Sequence, residues 1–321
     1  MKKAIVLGAT GNMGSVLVEE LTNRGIHTIA FARTEAKLKN LAKRISNKHL
    51  LTCSVGDAFN SESIVTATSG VDIIYHSVNL PYPEWEKKLI PLTSSVLAAT
   101  KALNAKLVFI NNIYSYGRST TAKVTEEHPR LAHTKKGRIR LQMEQMISHA
   151  HLNGTTSFIV RLPDFYGPYA ENTMLHFTLQ AIATGKKARF IGGLDIPREF
   201  IYMPDAAKAV VDVSLHDHAY GQEWNIPGAG VITGREIIRI AEKAVGKQGI
   251  SVGTIGKGIL SLLGIFNRQM KEVVEMLYLT QTPVILSGAK YEREIGAVPA
   301  TPYEQGITET VKILHENRGQ V

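Results

Sequence analysis

The 321-residue chain carries 37 Lys and Arg against 28 Asp and Glu, a net charge of +9, with 44% hydrophobic and 20% charged residues. Those proportions exclude disordered, collagen-like and coiled-coil chains. They leave room for two domains, or for one large α/β unit with an appended lobe. The single cysteine, Cys53, allows no internal disulfide and points to a reducing, cytoplasmic setting. No apolar run approaches the roughly 18 residues of a membrane span. The basic excess is spread along the chain, as solvated surface charge rather than a nucleic-acid footprint.

Short apolar runs at 4–7, 27–32, 49–53, 71–75 and 106–110 have the character of buried strands. Between them, residues 12–24, 35–43, 61–68 and 85–104 follow a helical pattern, and a further helix at 136–151 precedes a strand at 155–160. Strands alternating with helices in this way predict βαβ units and a parallel sheet. Beyond Arg161 loops lengthen and helices dominate, at 171–183, 204–216, 233–245, 270–280 and 302–315. The expected organisation is a domain over 1–165 and a smaller, mainly helical lobe over 166–321, interleaved with the end of the first sheet.

The densest chemical signal is Gly8-Ala9-Thr10-Gly11-Asn12-Met13-Gly14, directly after the first strand. Gly8 permits a tight turn, Gly11 admits a pyrophosphate against the backbone, and Gly14 lets the helix lie close to the strand. The free N–H groups and the helix dipole then favour phosphate at Gly8, Thr10, Gly11, Asn12 and Met13. Arg33 ends the second strand, where an acidic residue selects NAD and a basic one suits the 2′-phosphate of NADP. NADP is therefore the expected cofactor, with NAD as the alternative. The eleven histidines show no ligand spacing for a metal.

Here the chain resembles the extended short-chain dehydrogenases, the NAD(P)-dependent epimerase/dehydratase family. Gly8 to Gly14 is similar to its GxxGxxG. Asp57, in Gly56-Asp57, falls where an Asp after the third strand meets the adenine. The run Val108-Phe-Ile-Asn-Asn-Ile-Tyr-Ser-Tyr-Gly117 resembles the stretch that carries the catalytic serine. Arg161-Leu-Pro-Asp-Phe-Tyr-Gly-Pro168 and Arg198-Glu-Phe-Ile-Tyr-Met-Pro-Asp205 resemble two further motifs, and Lys290 to Glu304 the C-terminal pattern. The resemblance implies a doubly wound Rossmann α/β fold with a helical substrate lobe, Asn79 near the nicotinamide ribose, and Pro163 flanking the nicotinamide. It also suggests a homodimer.

The departures concern the chemistry. The family uses a Ser and a Tyr-x-x-x-Lys pair, but alignment places Asn112 at the serine, Lys136 at the tyrosine and Arg140 at the lysine. Lys136 and Arg140, four apart, share a helix face. Arg140 can hold ribose hydroxyls, but a guanidinium donates no proton. Asn112 can polarise a carbonyl oxygen. Lys136 alone can titrate usefully, given a lowered pKa from the like charges of Lys135, Arg138 and Arg140. Tyr114, Tyr116, Tyr166 and Asp164 compete for the acid role. Tyr82, Trp85, Tyr114, Asp164, Tyr166, Asn172 and Arg198 are expected around the substrate, with ordinary packing as the alternative for each. Two functions follow: an NAD(P)-dependent oxidoreductase or epimerase acting on a small carbonyl, alcohol or sugar nucleotide, or a non-catalytic NADP-binding redox sensor.

Overall fold

The computed structural model describes residues 1–316 except Ser69 and Asn172. The first half winds as β1 (Lys3–Leu7), α1 (Asn12–Asn23), β2 (His27–Ala32), α2 (Glu35–Arg44), β3 (Leu51–Val55), α3 (Ser61–Ala67) and β4 (Ile73–His76). It continues through α4 (Trp85–Leu103), β5 (Lys106–Asn112), α5 (Lys135–Leu152) and β6 (Ser157–Leu162). The second half adds β7 (Asp164–Tyr166), α6 (Met174–Ala183), β8 (Ala188–Ile191), β9 (Arg198–Tyr202), α7 (Met203–Ser214) and β10 (Glu223–Asn225). Then come β11 (Val231–Ile232), α8 (Gly234–Ala244), β12 (Val252–Ile255), α9 (Lys257–Phe266), α10 (Arg268–Val274), α11 (Ala289–Glu294) and α12 (Tyr303–Glu316).

Seven strands form one parallel sheet in the order β10-β6-β5-β4-β1-β2-β3. Alternation along β1 sends Ala4 and Val6 to the face covered by α1 and α7, and Ile5 and Leu7 to the face covered by α4 and α5. All four are fully buried, so both faces are dry and the strand reads as a continuous apolar run. The strand order reverses between β1 and β4, and a doubly wound sheet binds its ligand outside the carboxyl ends at that crevice. Gly8 and Asn79 lie just beyond those two ends.

The second half returns to this sheet. β10 pairs parallel with β6, and α7 packs on α1. The remainder builds its own core from α6, α8, α12 and two small sheets, β11-β9-β7 and β12-β8, so this lobe holds more strand than expected. The third strand starts two residues later than its apolar pattern suggested, because Lys48–Leu50 are spent on a 3₁₀ turn. Helix α6 starts at Met174, since Thr173 caps it by accepting from the His176 N–H. Among the described residues no helix is long and apolar enough to cross a membrane.

Candidate functional site

The glycine loop forms a tight cradle. Gly8 has φ +79°, left-handed backbone, and a Cβ there would stand 3.0 Å from the Val78 Cα. A Cβ on Gly14 would run into the Gly8 carbonyl, so α1 lies against the end of β1 because position 14 lacks a side chain. Gly11 is exposed and caps α1 without a side-chain hydrogen bond, which leaves the first-turn N–H groups to a ligand. Thr10 and Asn12 are half-buried beside it, Met13 packs into the core, and the Asn12 amide donates to the Glu171 carbonyl at 2.7 Å. An open backbone surface with uncapped donors fits a pyrophosphate.

Towards β3, Arg33 is exposed and has no hydrogen-bond or ion-pair partner among the described residues. Asp57 is exposed as well, its carboxylate accepting from the Phe59 N–H at 3.1 Å in an Asx turn. Both lie at the carboxyl ends of neighbouring strands, within one crevice.

On the other side, beyond β4 and β5, the structure gathers Asn79, Tyr82, Trp85, Tyr114, Lys136 and Arg140. Arg140 is buried, donates to the Asn79 Oδ1 at 2.8 Å and lies over the Trp85 ring at 4.3 Å, while its Nε has no partner among the described residues. Burial pulls its pKa down to about 10, leaving it charged at neutral pH. Beneath it His76, the last residue of β4, is buried with neither ring nitrogen partnered among the described residues. Burial, and then the Arg140 charge, hold that imidazole down to about 3, so it is neutral. The Tyr82 and Tyr114 hydroxyls meet at 2.7 Å. Burial pushes Tyr82 up to about 12 and Tyr114 upward too. The Asn112 Oδ1 accepts from the Tyr114 N–H at 3.1 Å, starting the 3₁₀ turn Ile113–Tyr116.

Lys136 stands differently from expectation. Its like-charged neighbours are engaged elsewhere: Lys135 with Glu86, Arg138 with the His133 carbonyl, Arg140 with Asn79. Lys136 itself is only 1% exposed and donates to Glu272 at 2.5 Å and Glu275 at 2.8 Å. The Glu275 carboxylate also accepts from the backbone N–H groups of Lys135 and Lys136, at 3.3 and 3.1 Å, and so caps α5. The hydrogen bond from Lys136 holds Glu272 below the usual carboxylate range. The Lys136 ammonium thus lies between two carboxylates rather than among unpaired like charges.

Asp164, directly after Pro163, pairs with Arg198 at 3.2 Å. Tyr166 does not line this site. It is buried among Tyr202, Tyr303 and Gly306 in the second lobe's core, its hydroxyl unpartnered among the described residues. Asn172 lies outside the described residues. Glu144, one residue after Met143 on the buried face of α5, escaped sequence reasoning. Its carboxylate accepts from Asn111 at 2.6 Å, Ser115 at 2.8 Å and, in bidentate fashion, Arg161 at 2.8 and 2.7 Å. This buried knot fixes the turn that carries Asn112 and Tyr114. The arginine stands out in the otherwise apolar β6, but the acid lies in a polar, charged helix where nothing local marks it. Glu272 and Glu275 gave no signal either, being 136 and 139 residues from Lys136.

No curated protein matches the chain in sequence. Solved structures match over nearly its whole length. The UDP-glucuronic acid 4-epimerase of Bacillus cereus in complex with NAD is 19% identical, with a TM-score of 0.80 over 98% of this chain and 99% of that one. The dTDP-glucose 4,6-dehydratase of Bacillus anthracis in complex with NAD is 20% identical, with 0.82 over 99% and 98%. The UDP-glucose 4-epimerase of Thermotoga maritima with UDP-glucose is 13% identical, with 0.79 over 98% and 99%. At such identities these likenesses establish the fold. The profile of one family matches residues 4–226, more than half of the sequence. The chain therefore belongs to the NAD dependent epimerase/dehydratase family.

Proposed function

We propose that this protein is an NADP-dependent oxidoreductase or epimerase that exchanges hydride with a hydroxyl or carbonyl carbon of a small molecule. Nucleoside-diphosphate sugars, named for the fold neighbours, are the first class to test. The observation that carries the reading is the uncapped, glycine-lined N-terminus of α1 facing the Asn79–Arg140 pair across the strand-order reversal. Gly8 to Met13 would hold the pyrophosphate, Arg33 and Asp57 the adenosine end, and Asn79, Arg140 and Pro163 the nicotinamide ribose and ring. The cofactor supplies hydride transfer at the nicotinamide ring, and the chain orients it and excludes water. Two of the neighbours named above hold NAD; exposed Arg33, without a partner among the described residues, is what favours the 2′-phosphate here. Asp164, Arg198 and Tyr82 would meet the substrate, whereas Trp85, expected there too, is fully buried with its indole N–H donating to the Leu80 carbonyl at 2.7 Å and packs behind them.

The ion-paired state of Lys136 favours a second reading, a nicotinamide-binding redox sensor without turnover. One assay separates the two. Purified protein is titrated with NADP and NADPH by calorimetry, then incubated with NADPH and a panel of nucleoside-diphosphate sugars and small carbonyls, following nicotinamide absorbance and sugar interconversion. Turnover supports the enzyme, tight binding without turnover across the panel supports the sensor, and absence of binding by any pyridine nucleotide removes both.

A further inference from the structure

We propose that the proton in this reaction is carried by the Tyr82–Tyr114 pair, relocated from the helix α5 position where the family has its tyrosine. The inference rests on the enzymatic reading above. The three aligned catalytic positions offer no acid. Lys136 is only 1% exposed and ion-paired with both Glu272 and Glu275, so a substrate oxygen would have to displace a carboxylate to reach it. Arg140 does not donate protons, and the Asn112 oxygen accepts from a backbone N–H.

In the same place stand two phenols. Tyr82 opens the 3₁₀ turn after β4 and Tyr114 lies in the one after β5, so both rise from the carboxyl ends of adjacent strands. Their hydroxyls, 2.7 Å apart, have only each other as hydrogen-bond partners among the described residues. Two hydroxyls carry two protons and this contact uses one, so one O–H remains for a ligand. Tyr114 is buried and Tyr82 is partly exposed, so Tyr82 is the outer member. Trp85 braces both rings, edge-on to Tyr82 at 4.9 Å and tilted against Tyr114 at 6.2 Å, with Arg140 on its face. The groups that act electrostatically on the pair are Arg140, Asp164 and Glu275, and the Lys136 ammonium lies 5.1 Å from the Tyr82 ring centroid.

The step is a simple proton transfer. A substrate oxygen that has gained an electron pair takes the Tyr82 proton: the phenol O–H bond breaks and the alcohol O–H bond forms. The Tyr82 phenolate left behind accepts the Tyr114 hydroxyl hydrogen bond, and water at the exposed edge restores the proton. In the oxidative direction the phenolate takes the alcohol proton by the same path. Arg140 and the Tyr114 hydroxyl stabilise that phenolate.

The test uses the full chain and its Tyr82→Phe, Tyr114→Phe and Lys136→Met variants. First, NMR of Cζ-labelled tyrosine, assigned by the Phe variants, follows the two phenols with and without NADP. Saturating NADP is expected to shift both resonances and lower the midpoint of Tyr82 titration, while Tyr166 stays unmoved. Binding of NADP by calorimetry with no change at either phenol overturns the proposal and leaves the enzymatic reading standing; no binding of NADP removes both. Second, with the substrate found above, Tyr82→Phe is expected to lose about 100-fold or more in kcat with KM little changed. Tyr114→Phe is expected to lose less and to move the alkaline limb of the pH profile upward. Retained turnover in Tyr82→Phe, with the large loss in Lys136→Met instead, overturns the assignment.

Discussion

Arg33 and Glu199 show how much one side chain can decide. Arg33 has no intramolecular partner among the described residues, so its substitution costs the fold little and reads directly on the ligand. A charge-assisted hydrogen bond contributes about 1.5–3 kcal/mol, so Arg33→Ala is expected to weaken NADPH binding by roughly 10- to 150-fold with NADH affinity unchanged. Calorimetry with both nucleotides checks this, and equal losses would refute a 2′-phosphate contact. Glu199 of β9 is buried and accepts from the N–H groups of Gly228 at 3.2 Å and Leu286 at 2.9 Å. Burial pushes its carboxyl from 4.5 up to about 7. A pKa raised in the folded state contributes stability that is complete below about 4.5 and lost as pH rises through about 7. The loss is on the order of 3 kcal/mol. Urea midpoints of the native chain are expected to fall across that window, and those of Glu199→Gln to stay flatter. At this scale the glycine cradle was legible, because the demand on Gly8 and Gly14 is set by atoms close in sequence or by the turn itself. The state of Lys136 was not, because its two partners come from a distant segment.

Among the elements, α10 matters most to the site. Its Glu272, with Glu275 just beyond, binds the first turn of α5 and closes over the position from which the family takes its acid. Removing both carboxylates leaves a cation inside the protein with no counter-charge, a change that costs about 3–5 kcal/mol when burial is complete. The glutamates are 24% and 30% exposed, so the lower end applies. The Glu272→Gln/Glu275→Gln protein is expected to melt several degrees lower, and adding Lys136→Met to recover much of the difference. A further drop on adding Lys136→Met would show that the lysine stabilises by other contacts. Helix α5 itself was well marked: Met143 and Ile147 are buried and Ile139 packs against the same core, as the apolar spacing required. The pattern could not reveal Glu144, since a buried acid becomes intelligible only once Arg161 of the neighbouring strand is beside it.

Across the whole molecule, alternating strands and helices sufficed to foresee the parallel sheet, because each βαβ unit is local in sequence. The seventh strand was harder: β10 has only three residues and lies far from β6 in the chain, so only the assembled sheet shows its place. With α7 seated on α1 and Tyr291 of α11 reaching the same core, unfolding in urea is expected to be one transition whether followed at Trp85 or Trp224. Two separated transitions would mean the lobes melt independently. A gene severed after codon 165 would yield a leading fragment with a raw β6 flank and a bare α1 surface. The trailing fragment would carry the strand and helix that cover them, folded against nothing. Expressed alone, each half should aggregate; co-expressed, they should recover one another as a nicked but native particle.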